Sequence, residues 1–209
     1  MLKRRKILLF VLILFFLLNV DFCFSFPADV QPICNKKYFP KVRSLISEAK
    51  KSIHIILYIS RYYQKYPDSS PNKLIRELIL AAKRGVNVEV ILDQSDWNEK
   101  NTRENKATAK IFSKGGVRVW LDDLHKTSHN KLIIIDGNYV VIGSTNWSYH
   151  ALDKNNESSV LIESEEVANS FEKYFEKIKK KSEEFIFQPQ ALKKPSWGKR
   201  IKRLFIEER

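Results

Sequence analysis

The sequence predicts an α/β domain in which a mixed β-sheet is flanked by helices on both faces. Three observations carry this. Between residues 40 and 121, short apolar, β-branched runs of strand length alternate with amphipathic helical stripes. That rhythm of strand, helix, strand, helix, strand demands right-handed crossovers and parallel strands. It then breaks at two runs flanking Gly137-Asn138, which read as an antiparallel hairpin.

The elements follow in order. Pro40 to Lys51 places Val42, Leu45, Ile46 and Ala49 on one helical stripe, and Ser52 to Ser60 is a strand. After a polar, aromatic-rich loop, Ser70-Pro71 offers a cap followed by Pro at the first helical position. The helix it opens turns Leu74, Ile75, Leu78, Ile79 and Ala82 inward and stops at Gly85. Val86 to Leu92 is a second strand, a weaker helix runs from Thr102 to Gly115-Gly116, and Val117 to Leu121 is a third strand. Lys131 to Ile135 and Tyr139 to Gly143 form the hairpin, and Ser158 to Ile162 adds a strand. Glu165 to Lys181 is a helix with acidic residues first and Lys last, matching its dipole, and with Val167, Phe171, Tyr174, Phe175 and Ile178 as its buried face.

The chain divides into a leader (1–26), one domain (36–186) and a basic tail (187–209). Lys3-Arg4-Arg5-Lys6 precede an apolar run from Ile7 to Leu18. Such a run fits a signal peptide cleaved after Ser25 or, extended through Phe22, Phe24 and Phe26, a retained N-terminal membrane anchor. Either reading puts the body outside the cytoplasm, as an exported (periplasmic or secreted) or membrane-anchored protein. The net charge is +13, of which residues 1–25 carry +3, so the body keeps +10. That excess suits a polyanionic partner, nucleic acid or an anionic membrane surface, and does not choose between them. The tail reads as a loose terminus, a membrane-surface helix or a polyanion contact. With only Cys23 and Cys34, there is no disulfide framework and no cysteine-built zinc site.

The chemistry lies on the hairpin. A two-residue turn at Gly137-Asn138 sets Lys131 opposite Ser144 and His129 opposite Asn146, so that all four emerge on one side of the sheet. A one-residue slip scatters the set. An imidazole to attack or protonate, an ammonium for the non-bridging oxygens and two neutral donors are what phosphoryl transfer requires. Gly143 permits close approach of a ligand to the backbone. Singly, each residue has an ordinary reading as a strand histidine, a solvated lysine or a turn former. Jointly, they point to a phosphate ester.

The pattern His129-x-Lys131-x4-Asp136-x6-Gly143-Ser144-x-Asn146 is a complete HKD motif, and the chain resembles the phospholipase D superfamily, in particular its small bacterial single-motif endonucleases. The likeness continues through Trp147-Ser148 and Asn155-x-Glu157, and more loosely over residues 39–181. It implies the phospholipase D-like fold with one half-site per chain, hence a homodimer whose two motifs share an active site. One His attacks phosphorus, the other protonates the leaving oxygen, and water then releases the phosphohistidine, with no metal and no cofactor. It further implies that Glu157 orients the His ring, across the dimer or beside it. Ser144, Gly143, Asn130 and Lys126 are assigned to substrate contact, and Asp136, of opposite parity at the turn, is a structural carboxylate.

Three functions compete: a non-specific endonuclease, a phospholipase D releasing lipid head groups, and a catalytically silent polyanion binder. His54 reads as a core or rim histidine or as a residue lining the cleft, His125 as a solvated loop residue or a substrate contact, and His150 has no partner at metal-ligand spacing. Tyr62, Tyr63, Lys65, Trp97, Trp120 and Trp147 read as packing residues or as stacking platforms for bases.

Overall fold

The computed structural model describes residues 25–187. Nearly all of the leader and of the basic tail lie outside the described residues, and with them the choice between signal and anchor and the reading of the tail. Among the described residues, no helix is long and apolar enough to cross a membrane.

The parallel crossovers are β2 (Ser52–Leu57), α2 (Ser70–Lys83), β3 (Asn87–Leu92), α3 (Glu99–Lys114) and β4 (Arg118–Leu121), preceded by β1 (Asp29–Pro32) and α1 (Tyr38–Glu48). The antiparallel half follows: β5 (Lys131–Ile135), β6 (Tyr139–Gly143), α4 (Tyr149–Asp153), β7 (Ser159–Glu163), α5 (Glu165–Lys179) and β8 (Glu183–Glu184). All eight strands form one sheet in the order β1-β7-β6-β5-β2-β3-β4-β8. The switch from parallel to antiparallel falls at the centre, where β2 lies between β3 and β5.

Alternation along the strands sorts the core onto two faces. Ile53, Ile55, Leu57, Val90, Ile133 and Val141 pack with Val42 and Ile46 of α1, Leu74 and Leu78 of α2 and Phe112 of α3. Ile56, Ile91, Trp120, Leu132, Ile134 and Val140 pack with Ala168 and Phe175 of α5. Helices therefore cover both faces. Leu78 is fully buried, so Leu78→Ala is expected to cost about 2–5 kcal/mol. Tyr174 departs from the expected buried face of α5: it is 38% exposed and its hydroxyl receives the Asn130 Nδ2 donor at 3.3 Å.

Strand β2 ends at Leu57 rather than Ser60 because α3 takes over the backbone beyond it. Asn101 and Asn105 donate to the Tyr58 carbonyl at 3.0 and 2.8 Å, and Asn105 Oδ1 accepts from Ser60 N at 3.0 Å. Thr108 Oγ1 donates to the Ser60 carbonyl at 2.7 Å and accepts from Tyr62 N at 3.1 Å. These polar residues are buried, so their hydrogen bonds offset the desolvation that burial imposes. The same helix begins earlier than its apolar pattern implies, at Glu99, with Asn98 capping Asn101 N.

The hairpin register differs from the expected one. The ladder runs from Leu132↔Ile142 to Ile135↔Tyr139, which sets Lys131 toward Gly143 instead of Ser144. The left-handed residues are Asp136 (φ 55°) and Gly137 (φ 67°), and Asn138 N donates to the Ile135 carbonyl at 3.1 Å. The turn is thus centred on Asp136-Gly137, with Asn138 as an extra residue. Asp136 is held there because its carboxylate accepts from the backbone N–H groups of Lys50 (2.9 Å), Lys51 (2.7 Å) and Ser52 (3.0 Å). Burial opposes ionisation of this carboxyl, but the three donors prevail and hold its pKa below the usual carboxylate range.

Candidate active site

The site forms where β2 and β3 end and β5 begins. The slipped register does not scatter the motif, because the chain leaves the sheet after Gly143. Ser144 N still donates to the Ser158 carbonyl at 2.9 Å beside β7, whereas Trp147 N donates to Ile59 O at 3.0 Å beyond β2. The segment between them must cross the start of β5, and that crossing carries Asn146 over the end that bears His129 and Lys131. Trp147 fixes the landing point. It is fully buried, and its indole N–H donates to the Tyr38 hydroxyl at 3.2 Å.

His129 is exposed, while Lys131 is buried at 6%. The Lys131 ammonium lies 3.1 Å from Nδ1 and 3.2 Å from Nε2 of His129 and donates to its carbonyl at 2.9 Å. Near-equal distances mean that it lies along neither lone pair, so both ring nitrogens stay open to a ligand. The Tyr58 ring packs against the imidazole at 4.5 Å between centroids and lies 5.1 Å from the ammonium. Partial removal from water, and then the Lys131 charge, lower the His129 pKa, so the imidazole is neutral at pH 7. Burial likewise lowers the Lys131 pKa, opposed by the charges of Glu157 and Asp93.

Asn146 Oδ1 is shielded from solvent and has no hydrogen-bond partner among the described residues, so its carboxamide is not committed to holding the fold. Ser144 is exposed, and its hydroxyl donates to Glu157 and accepts from Ser158 N at 3.0 Å. Glu157 is also held by Asn155 Nδ2 at 2.9 Å. Within one chain, therefore, Glu157 is bonded to Ser144 and Asn155 and not to the His129 ring, and it acts on the site through the Lys131 charge.

The remaining assignments divide. Asn130 turns to the opposite face of the sheet, toward Tyr174, so it does not join His129 and Lys131. Lys126 stays on the exposed turn that its backbone closes onto Asp123. A Cβ on Gly143 would collide with the Ser158 carbonyl and with Ser159, so contact between β6 and β7 requires glycine there whatever the ligand. The other histidines are engaged elsewhere: His54 with Glu172 at 2.6 Å, His125 with Asp96 at 3.1 Å, and His150 edge-on to Tyr149. Among the described residues there is no group of His, Cys, Asp and Glu side chains disposed to hold a metal ion.

Two contributors are not apparent from the motif. Tyr58, read as an apolar strand residue, supplies the ring against His129. Asp93, fully buried, accepts the N–H of Ser128 at 2.8 Å and so fixes the residue before His129. Burial raises its pKa to about 6, reinforced by Asp122 and opposed by Ser128, Asn101 and Lys131. A carboxylate closing an apolar strand was the available signal, since such a group needs a partner.

Comparison with known proteins places this geometry. Residues 42–179 match the family described as cardiolipin synthase, PLD-like domain. The chain is 31% identical over 153 residues to a phospholipase D of Rickettsia typhi, covering 73% of this chain and 64% of that protein. It is 34% identical over 110 residues to a mitochondrial cardiolipin hydrolase of Canis lupus familiaris, covering 53% of this chain and 41% of that one. Among solved structures it is similar to Nuc of Salmonella typhimurium, a phospholipase D family member, with a TM-score of 0.65 and 25% identity over 77% of this chain and 100% of that chain. NucT of Helicobacter pylori shares the fold, with a TM-score of 0.61. With more than half of its length matched by the family, and the motif gathered at the end of the central strands, this chain belongs to the phospholipase D superfamily.

Proposed function

We propose that the protein is a metal-independent phosphodiesterase that works through a phosphohistidine on His129, and that its substrate is nucleic acid, cut as by a non-specific endonuclease. The observation that carries the chemistry is the Lys131 ammonium against both nitrogens of a neutral, exposed imidazole. A ring nitrogen of His129 attacks phosphorus and a P–N bond forms as the P–O bond to the leaving group breaks. Lys131 and the Asn146 carboxamide stabilise the charge gathering on the non-bridging oxygens. Water then displaces the imidazole and returns it neutral.

The leaving oxygen needs a proton, and the other described histidines are engaged away from this site. We assign the proton to the equivalent imidazole of a second copy, which enters the reaction protonated because Glu157 reaches that ring across the interface, and which takes a proton from the attacking water in the second step. The working unit is therefore a homodimer. The net charge of +10 on the body and the likeness to Nuc over the whole of that chain favour nucleic acid. The leader is read as placing this body outside the cytoplasm.

A second reading is head-group release from phospholipid. It is favoured by the names of the rickettsial and mitochondrial relatives, and by Trp97 (65% exposed) and Leu124 (39% exposed) on the loops beside the site. A paired assay separates the two: plasmid DNA and phosphatidylcholine vesicles, each with EDTA, offered to wild type and His129→Ala. Cutting of DNA by wild type alone supports the proposal. Choline release without DNA cutting replaces it with the second reading. Equal behaviour of wild type and His129→Ala leaves only a silent polyanion binder.

A further inference from the structure

We infer that the cleft between the loop after β2 and the start of α4 is a subsite for an unpaired nucleobase next to the scissile phosphate, with Tyr66 and Tyr149 as its stacking surfaces. The inference rests on the nucleic-acid reading and deepens it. The cleft measures about 820 Å³ and is lined by Arg61, Tyr63, Lys65, Tyr66, Tyr149 and His150, among others. That is a size suited to a small-molecule moiety rather than a packing defect.

Its aromatic rings are displayed on a wired loop. Tyr66 is 67% exposed and Tyr149 40%, so neither contributes much to the core. Yet the loop beneath them is fixed. Fully buried Asn72 accepts from Tyr63 N at 2.9 Å and donates to the carbonyls of Tyr63 (2.9 Å) and Tyr66 (3.0 Å). The Tyr63 hydroxyl accepts from Tyr149 N at 3.1 Å, which ties the two walls together. Ser70 Oγ donates to Asp153 at 2.8 Å and adds a second tie. A backbone fixed before a ligand arrives loses little freedom when one binds.

The cleft is joined to the reacting centre on both sides. Tyr149 lies three residues beyond Asn146, a reach of at most about 11 Å. Arg61 lies three residues beyond Tyr58, whose ring meets His129, and Arg61 N donates to the Trp147 carbonyl at 2.9 Å. Its chemistry selects the occupant. Lys65 borders it, the Asp68 carboxylate on its rim is paired with Arg76 at 3.4 Å, and the Lys154 ammonium lies 5.6 Å from the centre of the Tyr149 ring. Cations beside π-faces suit a base joined to phosphates.

The test uses the full chain carrying His129→Ala, which binds without cutting, and a fluorescein-labelled dodecathymidylate read by anisotropy. Tyr66→Ala with Tyr149→Ala is expected to weaken binding at least about tenfold, whereas the paired Phe variants, which keep the π-faces, stay within twofold of the parent. The salt dependence of binding stays the same, since no phosphate contact is removed. Ala variants that melt like the parent and bind within twofold of it overturn the subsite, while cutting of the same oligonucleotide by wild type leaves the nuclease reading standing. No binding by the parent and no cutting by wild type removes that reading itself. Loss of binding to phosphatidylcholine vesicles in place of the oligonucleotide overturns the inference in favour of a lipid head group.

Discussion

The Lys131 ammonium approaches both ring nitrogens of His129, at 3.1 and 3.2 Å, without lying along either lone pair. One cation therefore does two things. It adds to the partial burial of the ring in lowering the His129 pKa, which favours the unprotonated, nucleophilic imidazole, and it sits where phosphate oxygens must come if the imidazole is to attack phosphorus.

The first prediction separates these effects. In Lys131→Met the neighbouring charge is gone, so the His129 pKa rises toward its ordinary value of 6.5. Because the imidazole must be neutral to attack, the acid limb of the pH–rate profile moves to higher pH, and the maximum rate falls by about 10²–10³. NMR titration of the His129 ring checks the shift independently of activity. An unchanged titration would mean that Lys131 does not set the protonation state.

Asp93 carries the second. Its pKa is raised from 3.8 to about 6, so between these values the native state holds a proton that the unfolded chain has lost. Stability contributed by the protonated form is complete below about pH 4 and is lost as pH rises through 6, in all roughly 3 kcal/mol. Asp93→Asn keeps an acceptor for Ser128 N–H and removes the titration. Thermal melts from pH 4 to 8 should show a flatter pH dependence in the variant than in wild type. Parallel curves would show that Asp93 ionises freely in the fold.

Asp136 has the opposite sign. Its pKa is lowered, so its contribution is present above the unfolded value near 3.9 and is lost as pH falls through the native one. Asp136→Ala leaves the N–H groups of Lys50, Lys51 and Ser52 without their acceptor and is expected to cost about 2–4 kcal/mol. A urea midpoint unchanged at pH 7 would contradict the structural role.

Ser144 and Glu157 are bonded to each other, so their effects are coupled. Glu157→Gln weakens the support of the Lys131 charge, and Ser144→Ala frees the carboxylate to move. The double variant should lose less activity than the product of the two single losses. Simple multiplication of the losses would show that the two act separately.

Much of this was legible in the sequence. The stripes of α1, α2 and α5, the β-branched runs and the HKD spacing carry their periods openly. The register was not, because Asp136-Gly137 and Gly137-Asn138 are both good turn pairs, and the backbone donors of Lys50 to Ser52 decide between them. Nor was the role of α3, whose inward face carries Asn101, Asn105 and Thr108 where a core stripe would be apolar. Tyr58 and Asp93 lie far from the motif in sequence, and only the pairing of β2 with β3 and β5 brings them to His129.

The most direct test of the central claim is mass spectrometry of the peptide containing residue 129, after rapid quenching of enzyme turning over a DNA oligonucleotide in EDTA. A phosphohistidine mechanism predicts an acid-labile adduct in which the His129 imidazole carries the phosphate of one cut fragment with its nucleotides still esterified, absent in an inactive His129→Ala. Robust cutting by wild type with no adduct on His129, or by His129→Ala itself, would contradict it.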